Sequence, residues 1–497
     1  MTLLSLRPFQ SNAMSTKPQT AKRTILLLAL LGACLYGTAA LYLVFNGSAN
    51  VDEGFYGLAA REAATHGALP YRDFGYTQAP LFPFIQGSVM RFTGFGLIGG
   101  RLASGLWALL AVGTGTVMLW RRKPALGVCF ALLMTTSLNW MYLAHLDKTH
   151  ALTGLLVLLG AVTALSGWGF PRRMILLSLL GTLAVGCRLP AGPFFAVVWA
   201  GMLLREMSLG NILRALTWPA LFCGALIVPF IAVAPRQAWF WALEFHRVSN
   251  TPKFWSLDIG DLFVFAPALV LLTCALAAGI LVKRVRLPRP LDIVLLGLLA
   301  GLACTLLPRG AYPEYGMAVV PGLMLALCLA MGTLPGRALA VGCALCCLAN
   351  LAGRPQLDPF LYANTRRAAA LVRGYQDPQA PFVGSASLVA LEAGSPVDGR
   401  MIMGPFSCTE AYTPAQADSL RLITPEGISR LMEDPRCHVF VLLHSLNLNF
   451  VWSIPRFDPV SQGAIGRWKD ILRKDFVLDH ADGDYVVFVR KSLYPNP

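Results

Sequence analysis

The sequence predicts a polytopic α-helical membrane protein, and three observations carry that reading. The 497 residues are 56% hydrophobic and only 13% charged, with a mean hydropathy of +0.58; a soluble domain of this size needs far more charge to cover its surface. The apolar residues arrive in blocks long enough to cross a bilayer, which takes roughly 20 residues as a helix. The basic residues cluster beside alternate blocks rather than scattering evenly.

Hydropathy places about eleven spans, at 24–45, 97–119, 125–143, 151–168, 174–187, 192–204, 215–234, 262–282, 291–307, 317–333 and 336–352. The pair 174–187 and 192–204 is short and reads either as two spans or as one broken or re-entrant hairpin. Lys17, Lys22 and Arg23 precede the first span. Arg121, Arg122 and Lys123 follow the second, Arg172 and Arg173 the fourth, and Lys283, Arg284, Arg286 and Arg289 the eighth. A cytoplasmic N-terminus puts every one of these clusters inside, as the positive-inside rule requires. An odd span count then puts the first long loop and the whole C-terminal tail outside the cytoplasmic (inner) membrane, on its periplasmic or extracellular face. Thr24–Phe45 is too long for a signal-peptide core and is expected to stay as an anchor. Met1 and Met14 are alternative starts.

The net charge of +15 follows largely from this topology, with cytoplasmic Lys and Arg facing anionic headgroups. Nucleic-acid binding is excluded as a reading, because no basic, aromatic-interleaved soluble domain is present. Ten of the twelve cysteines lie in or beside the spans, where a thiol behaves as a small apolar residue. Cys408 and Cys437 stand in the tail and read either as a disulfide formed in an oxidising compartment or as two buried free thiols. No His/Cys cluster has zinc spacing.

Three units follow: a cytoplasmic N-terminus at 1–23, a membrane domain at 24–352 whose first outer loop is 46–96, and an exported soluble α/β domain at 353–497. The tail regains Asp, Glu, Arg and Asn. It has strand-like runs at 438–444 and 484–490 and helical patterns near 362–375, 425–433 and 463–474, which together suggest a small α/β domain. It contains no GxGxxG and no P-loop. A loop at 234–261, rich in Trp and Phe, suits a helix lying with its aromatic face in the headgroups.

The stretch "NVDEGFYGLAAREAATHGALPYRDFGYTQAPL" (50–81) is out of place between apolar blocks. An acidic pair directly after the first span, then "LPYRDF", then a proline turn, resembles the GT-C glycosyltransferases. These polytopic enzymes take sugar from a polyprenyl-phosphate carrier, and include protein O-mannosyltransferases and lipid A aminoarabinose transferases. The resemblance continues through Arg101 at the start of the second span, through "YLAHLDKTHALTGLLVLLGAV" with Asp147 at the head of a helix, and through "PRGAYPEYGMAVVPGL" (308–323). It covers roughly residues 24–350 in order and spacing. One departure stands out. Related lipid A transferases carry a lysine just before the turn proline, whereas here Gln78 and Ala79 precede Pro80.

What the resemblance implies is an inverting transfer of sugar from a polyprenyl-phosphate donor to a hydroxyl on a lipid, glycan or protein acceptor. The acceptor must lose a proton as it attacks, so a carboxylate is expected at the membrane surface as general base; Asp52 fits. Glu53 points about 100° away if the segment is helical, which suits support or pairing with Arg61 or Arg72. Asp147 heads a span, where an ionisable group is costly unless paired or functional; both readings are open, with Lys148, His145 and His150 beside it. The leaving phosphate needs preorganised cations or donors. The candidates are Arg309, Arg188, Arg72, Lys148, Tyr312 and Tyr315. Tyr56, Tyr71, Asp73, Tyr76 and Gln78 are candidates for holding the sugar. Asp52 with Glu53 offers oxygen ligands for a divalent cation, so metal dependence stays open.

The competing reading is a transporter or flippase for a lipid-linked sugar, which would also explain many spans and a buried acid. Such proteins often show inverted repeats and paired broken helices. The sequence shows no convincing internal repeat, and a transporter has little need of a carboxylate-rich outer loop or a large exported tail.

Overall fold

The computed structural model describes residues 19–246, 266–281, 290–306, 313–332, 334–353, 361–443 and 461–494. The N-terminal two-fifths runs as α1 (Gln19–Asn46), α2 (Val51–His66), α3 (Phe82–Thr93), α4 (Leu97–Arg122), α5 (Pro124–Thr136), α6 (Leu138–Leu143), α7 (His150–Ala164), α8 (Phe170–Cys187) and α9 (Gly192–Arg205). Beyond these come the apolar helices Leu209–Leu226, Pro267–Leu281, Leu291–Leu306, Val320–Met331 and Gly336–Ala352. Four helical segments among the described residues are long and apolar enough to cross a membrane: Leu97–Arg122, Phe170–Cys187, Leu209–Leu226 and Glu314–Met331. Leu209–Leu226 turns nearly its whole surface outward, with Leu213 and Leu216 well exposed. Exposed leucines at this density are unstable in water but suit lipid.

The short pair takes the form of two separate helices, α8 and α9, joined by Arg188 and a 3-10 turn at Leu189–Ala191. A backbone bond from the Leu81 N–H to the Gly186 carbonyl ties this junction to the proline turn of the 46–96 segment. The basic residues at 283–289, and Lys17, lie outside the described residues.

The tail contains a four-stranded sheet of order β1-β2-β4-β3, made of β1 (Val383–Gly384), β2 (Val439–Leu443), β3 (Phe476–Ala481) and β4 (Tyr485–Arg490). β1 runs parallel to β2, and the remaining pairs are antiparallel. Helices Pro425–Glu433 and Gln462–Asp475 cover one face, packing Ile428, Met432 and Trp468 against strand residues such as Phe440. The other face, with Val439, Val441, Tyr485 and Val487, joins the same apolar core as the membrane helices. That explains the unbroken apolar run of β2, which is buried on both faces.

One open reading is decided and one expectation is corrected here. Cys408 and Cys437 are free, buried thiols within one apolar cluster, not a disulfide. The aromatic segment after 234 does not present its rings to headgroups as a whole. Trp241 is fully buried and donates to the Leu420 carbonyl at 2.7 Å, and Gln237 donates to the Ser419 carbonyl. Protein, rather than lipid, receives that face. The remainder of the loop, from 247 to 261, lies outside the described residues.

Candidate active site

α2 is the element that builds the site. Its sequence looks polar, yet most of its residues are buried, because it is packed by α3, α4 and the tail helix Ser387–Ala393. Small residues make this possible. A Cβ on Gly54 would fall 2.3 Å from the Leu388 backbone nitrogen, a distance no side chain can occupy, so the tail helix seats directly on α2. The helix starts in a capping box. The Asn50 side chain accepts from the Asp52 N–H, and the Glu53 carboxylate accepts from the Asn50 N–H, both at 2.9 Å. It stops at Gly67, whose φ of 64° is the left-handed geometry glycine supplies at a helix end. Asn50 is therefore the cap, and Asp52 lies inside the first turn, where the helix dipole favours a negative charge.

The two neighbouring acids have different surroundings. Glu53 is fully buried and forms a two-pronged ion pair with Arg101, at 2.8 Å from Nε and 2.7 Å from Nη2. Arg101 also donates to the carbonyls of Leu43, Gly47 and Ser48 at the end of α1. Pairing of Glu53 with Arg61 or Arg72 is thereby corrected: Arg61 bonds Glu62 and the Ser395 carbonyl, and Arg72 pairs with Asp73 on the surface. A shared metal site on Asp52 and Glu53 does not fit either. The Glu53 oxygens already accept from Arg101, Asn50 and the Asp147 N–H, and Asp52 turns elsewhere.

Asp52 is about one-third exposed, and its Oδ2 lies 3.0 Å from Lys148 Nζ. Lys148 is buried and also meets Glu314 Oε1 at 3.3 Å. Behind this trio Arg188 lies with its guanidinium 5.0 Å from the Tyr315 ring centroid and donates from Nη1 to Thr149 Oγ1 at 2.8 Å. Arg188 is 95% buried by its 5% exposure, and its Nε has no partner among the described residues. Tyr56, one turn on from Asp52, borders the same group: Arg188, Asp52, Lys148 and Tyr315 all act electrostatically on its phenol, whose pKa burial raises above its ordinary value. The site thus sets a partly exposed carboxylate beside two buried cations.

Asp147 is sealed from solvent in the turn between α6 and α7. It forms no ion pair among the described residues. Its Oδ1 accepts from Gln86 Nε2 at 2.6 Å, and its Oδ2 has no hydrogen-bond partner there. His145 is occupied with the Met141 carbonyl.

The sugar-holding candidates divide. Tyr56 stands by the Asp52–Lys148–Arg188 group, but Tyr71 and Tyr76 are core residues: Tyr71 donates to the Gln78 carbonyl at 2.7 Å, and Tyr76 packs edge-on against Tyr56 and Phe74. Asp73 is bound to Arg72 and to the Leu69 N–H, and the guanidinium holds its carboxyl below the usual range. These corrections share a cause. The 46–96 segment packs into the main apolar core, so its aromatic rings are consumed by packing. Arg309 and Tyr312 lie outside the described residues. Glu314 and Thr149 were missed by sequence reasoning, although an acid beside a tyrosine at the start of a span was a visible signal.

The helical frame, with the tail sheet packed against it, has the GT-C fold, as do the solved structures that it matches. ArnT from Cupriavidus metallidurans bound to undecaprenyl phosphate superposes with a TM-score of 0.64 at 14% identity, covering 96% of this chain and 100% of that one. The same protein in the apo state gives 0.61 at 14%, covering 95% and 98%. The Archaeoglobus fulgidus oligosaccharyltransferase in the apo form gives 0.50 at 11%, covering 86% of this chain and 71% of that one. No protein-family model matches the chain, and neither does any curated protein.

Proposed function

We propose that the chain is an integral-membrane glycosyltransferase that moves a sugar from a polyprenyl-phosphate donor to an acceptor hydroxyl, with inversion, at the outer face of the cytoplasmic membrane. The observation that carries this reading is the Asp52–Lys148 contact on a GT-C frame, with Arg188 at hand. The acceptor oxygen attacks the anomeric carbon as the bond from that carbon to the phosphate oxygen breaks. The acceptor proton passes to Asp52, and the phosphate departs on its lipid as an anion. Lys148 and Arg188 stand where fixed positive charge would oppose that developing charge, and they take the part of the lysine that is missing before Pro80. An incoming phosphate competes with Asp52 for Lys148, which would leave the Asp52 carboxylate free to accept a proton. Residues 353–497 are then an exported domain that shapes the acceptor side, and membrane lipids surround the rest.

The test is to incubate purified protein with a lipid-linked sugar and an acceptor extract, alongside the Asp52→Asn variant. Transfer by the parent, falling about 10²–10⁴-fold in the variant, supports the assignment. Translocation of the lipid without bond cleavage would instead make the protein a transporter.

A further inference from the structure

We propose that Asp147 is a positioning residue: it pins the turn 144–149 so that the next residue, Lys148, meets Asp52 and the donor phosphate. This rests on the proposed function and deepens it. Three helices converge on Asp147. Its backbone N–H donates to Glu53 Oε1 of α2 at 2.9 Å, and its Oδ1 accepts from Gln86 of α3 at 2.6 Å. Gln86 itself donates to the Gly100 carbonyl of α4 and accepts from Trp107 Nε1. The carboxyl is wedged between two glycines: a Cβ would lie 2.1 Å from Oδ2 on Gly100 and 2.9 Å from it on Gly57. Side chains alternate from there. Asp147 points into this packing, Lys148 reaches Asp52 and Glu314, and Thr149 receives Arg188.

Geometry also argues that the carboxyl is a protonated acid rather than a buried anion. Oδ2 faces no donor among the described residues, and the nearby guanidinium of Arg101 is already committed to Glu53. Burial, with the Glu53 charge adding to it, pushes its pKa up to about 8. A neutral acid held by shape is mimicked by an amide, whereas a base is not.

The test measures undecaprenyl phosphate binding, and the donor KM and kcat, for Asp147→Ala, Asp147→Asn and Gly100→Ala. A misplaced binding group costs up to about 10²-fold. Asp147→Ala and Gly100→Ala are therefore expected to weaken lipid binding and raise the donor KM, and Asp147→Asn to restore most of both. The infrared carbonyl band of a protonated carboxyl should be present in the parent at neutral pH and missing in Asp147→Asn, a readout independent of any ligand or of folding yield in the alanine variant. Parental binding by Asp147→Ala overturns the proposal. So does an Asp147→Asn variant as inactive as Asp52→Asn, or a parent without the band. Normal transfer by Asp52→Asn sinks the base assignment instead, and leaves the binding series to judge Asp147.

Discussion

Lys148 Nζ bridges two carboxylates, lying 3.0 Å from Asp52 on α2 and 3.3 Å from Glu314 at the start of a later span. The ammonium is 3% exposed, so its charge acts at reduced screening. Glu314 itself lies 166 residues beyond Lys148 in sequence, so one lysine couples distant parts of the chain.

Removing that charge should show in the donor before it shows in the acceptor. A charge-assisted hydrogen bond contributes about 1.5–3 kcal/mol, which corresponds to roughly 10–150-fold in affinity. Lys148→Met and Arg188→Ala are each expected to lose undecaprenyl phosphate affinity in that range, and Arg188→Lys to recover only part, because an ammonium lacks the planar fork. Titration of the lipid into purified protein measures this. If both variants, together with Arg309→Ala, bind at parental strength, the cation assignment fails.

The adjacent acids should separate into an activity phenotype and a stability phenotype. Breaking a buried ion pair costs about 3–5 kcal/mol, so Glu53→Gln should lower the thermal unfolding midpoint and the yield of folded protein. Asp52→Asn should leave the midpoint near the parental value while removing transfer. Equal unfolding midpoints for the two variants would contradict the division of labour between them.

Asp147 should leave a signature in the pH dependence of stability. Its carboxyl titrates near 3.8 when unperturbed and at about 8 in the fold. Between those values the folded chain binds more protons than the unfolded chain, so its stabilisation is complete below about 4 and is lost as pH rises toward 8. Asp147→Asn carries no such proton. The difference in stability between parent and variant, followed by denaturant titration in detergent, should fall across that window and then level off. Parallel curves would mean that the carboxyl is ionised in the fold.

Sidedness is predicted from the basic clusters. Alkaline phosphatase fused after Pro497 should be active, since the positive-inside pattern and an odd span count put residues 353–497 outside. A stably made but inactive fusion would reverse the orientation and carry the site with it.

The membrane helices were legible because their signal is local: blocks such as Leu97–Arg122 announce themselves by hydropathy alone. Asp52 was legible for a similar reason, as a charge where the chain otherwise avoids charge. Partnership was not. Glu53 and Arg101 are 48 residues apart, and nothing in either neighbourhood names the other; Arg61 and Arg72 suggest themselves only because they are nearer in sequence. The tyrosines misled in the opposite way. Tyr71 and Tyr76 read as sugar platforms because a polar loop with aromatic rings looks open, and the sequence does not reveal that the loop closes over them. The strand-like run at 484–490 contains β4, whose side chains alternate between buried and half-buried, while the fully apolar β2 takes its meaning only from what covers both faces.

Arg61 donates to the carbonyl of Ser395, 334 residues further along the chain, and the tail helix Ser387–Ala393 is what covers that side of α2. Ribosomes add about 5–20 residues per second. The first outer loop therefore emerges roughly 15–70 s before its cover exists, at the elongation rates just given. During that interval α2 presents Gly54, Gly57 and its alanines to solvent without their partner. A nascent chain stalled before residue 387 should be more open to proteolysis at 51–66 than the finished protein. Chimeras that exchange tails between related chains would have to exchange α2 with them, because the Gly54 contact tolerates no added atom.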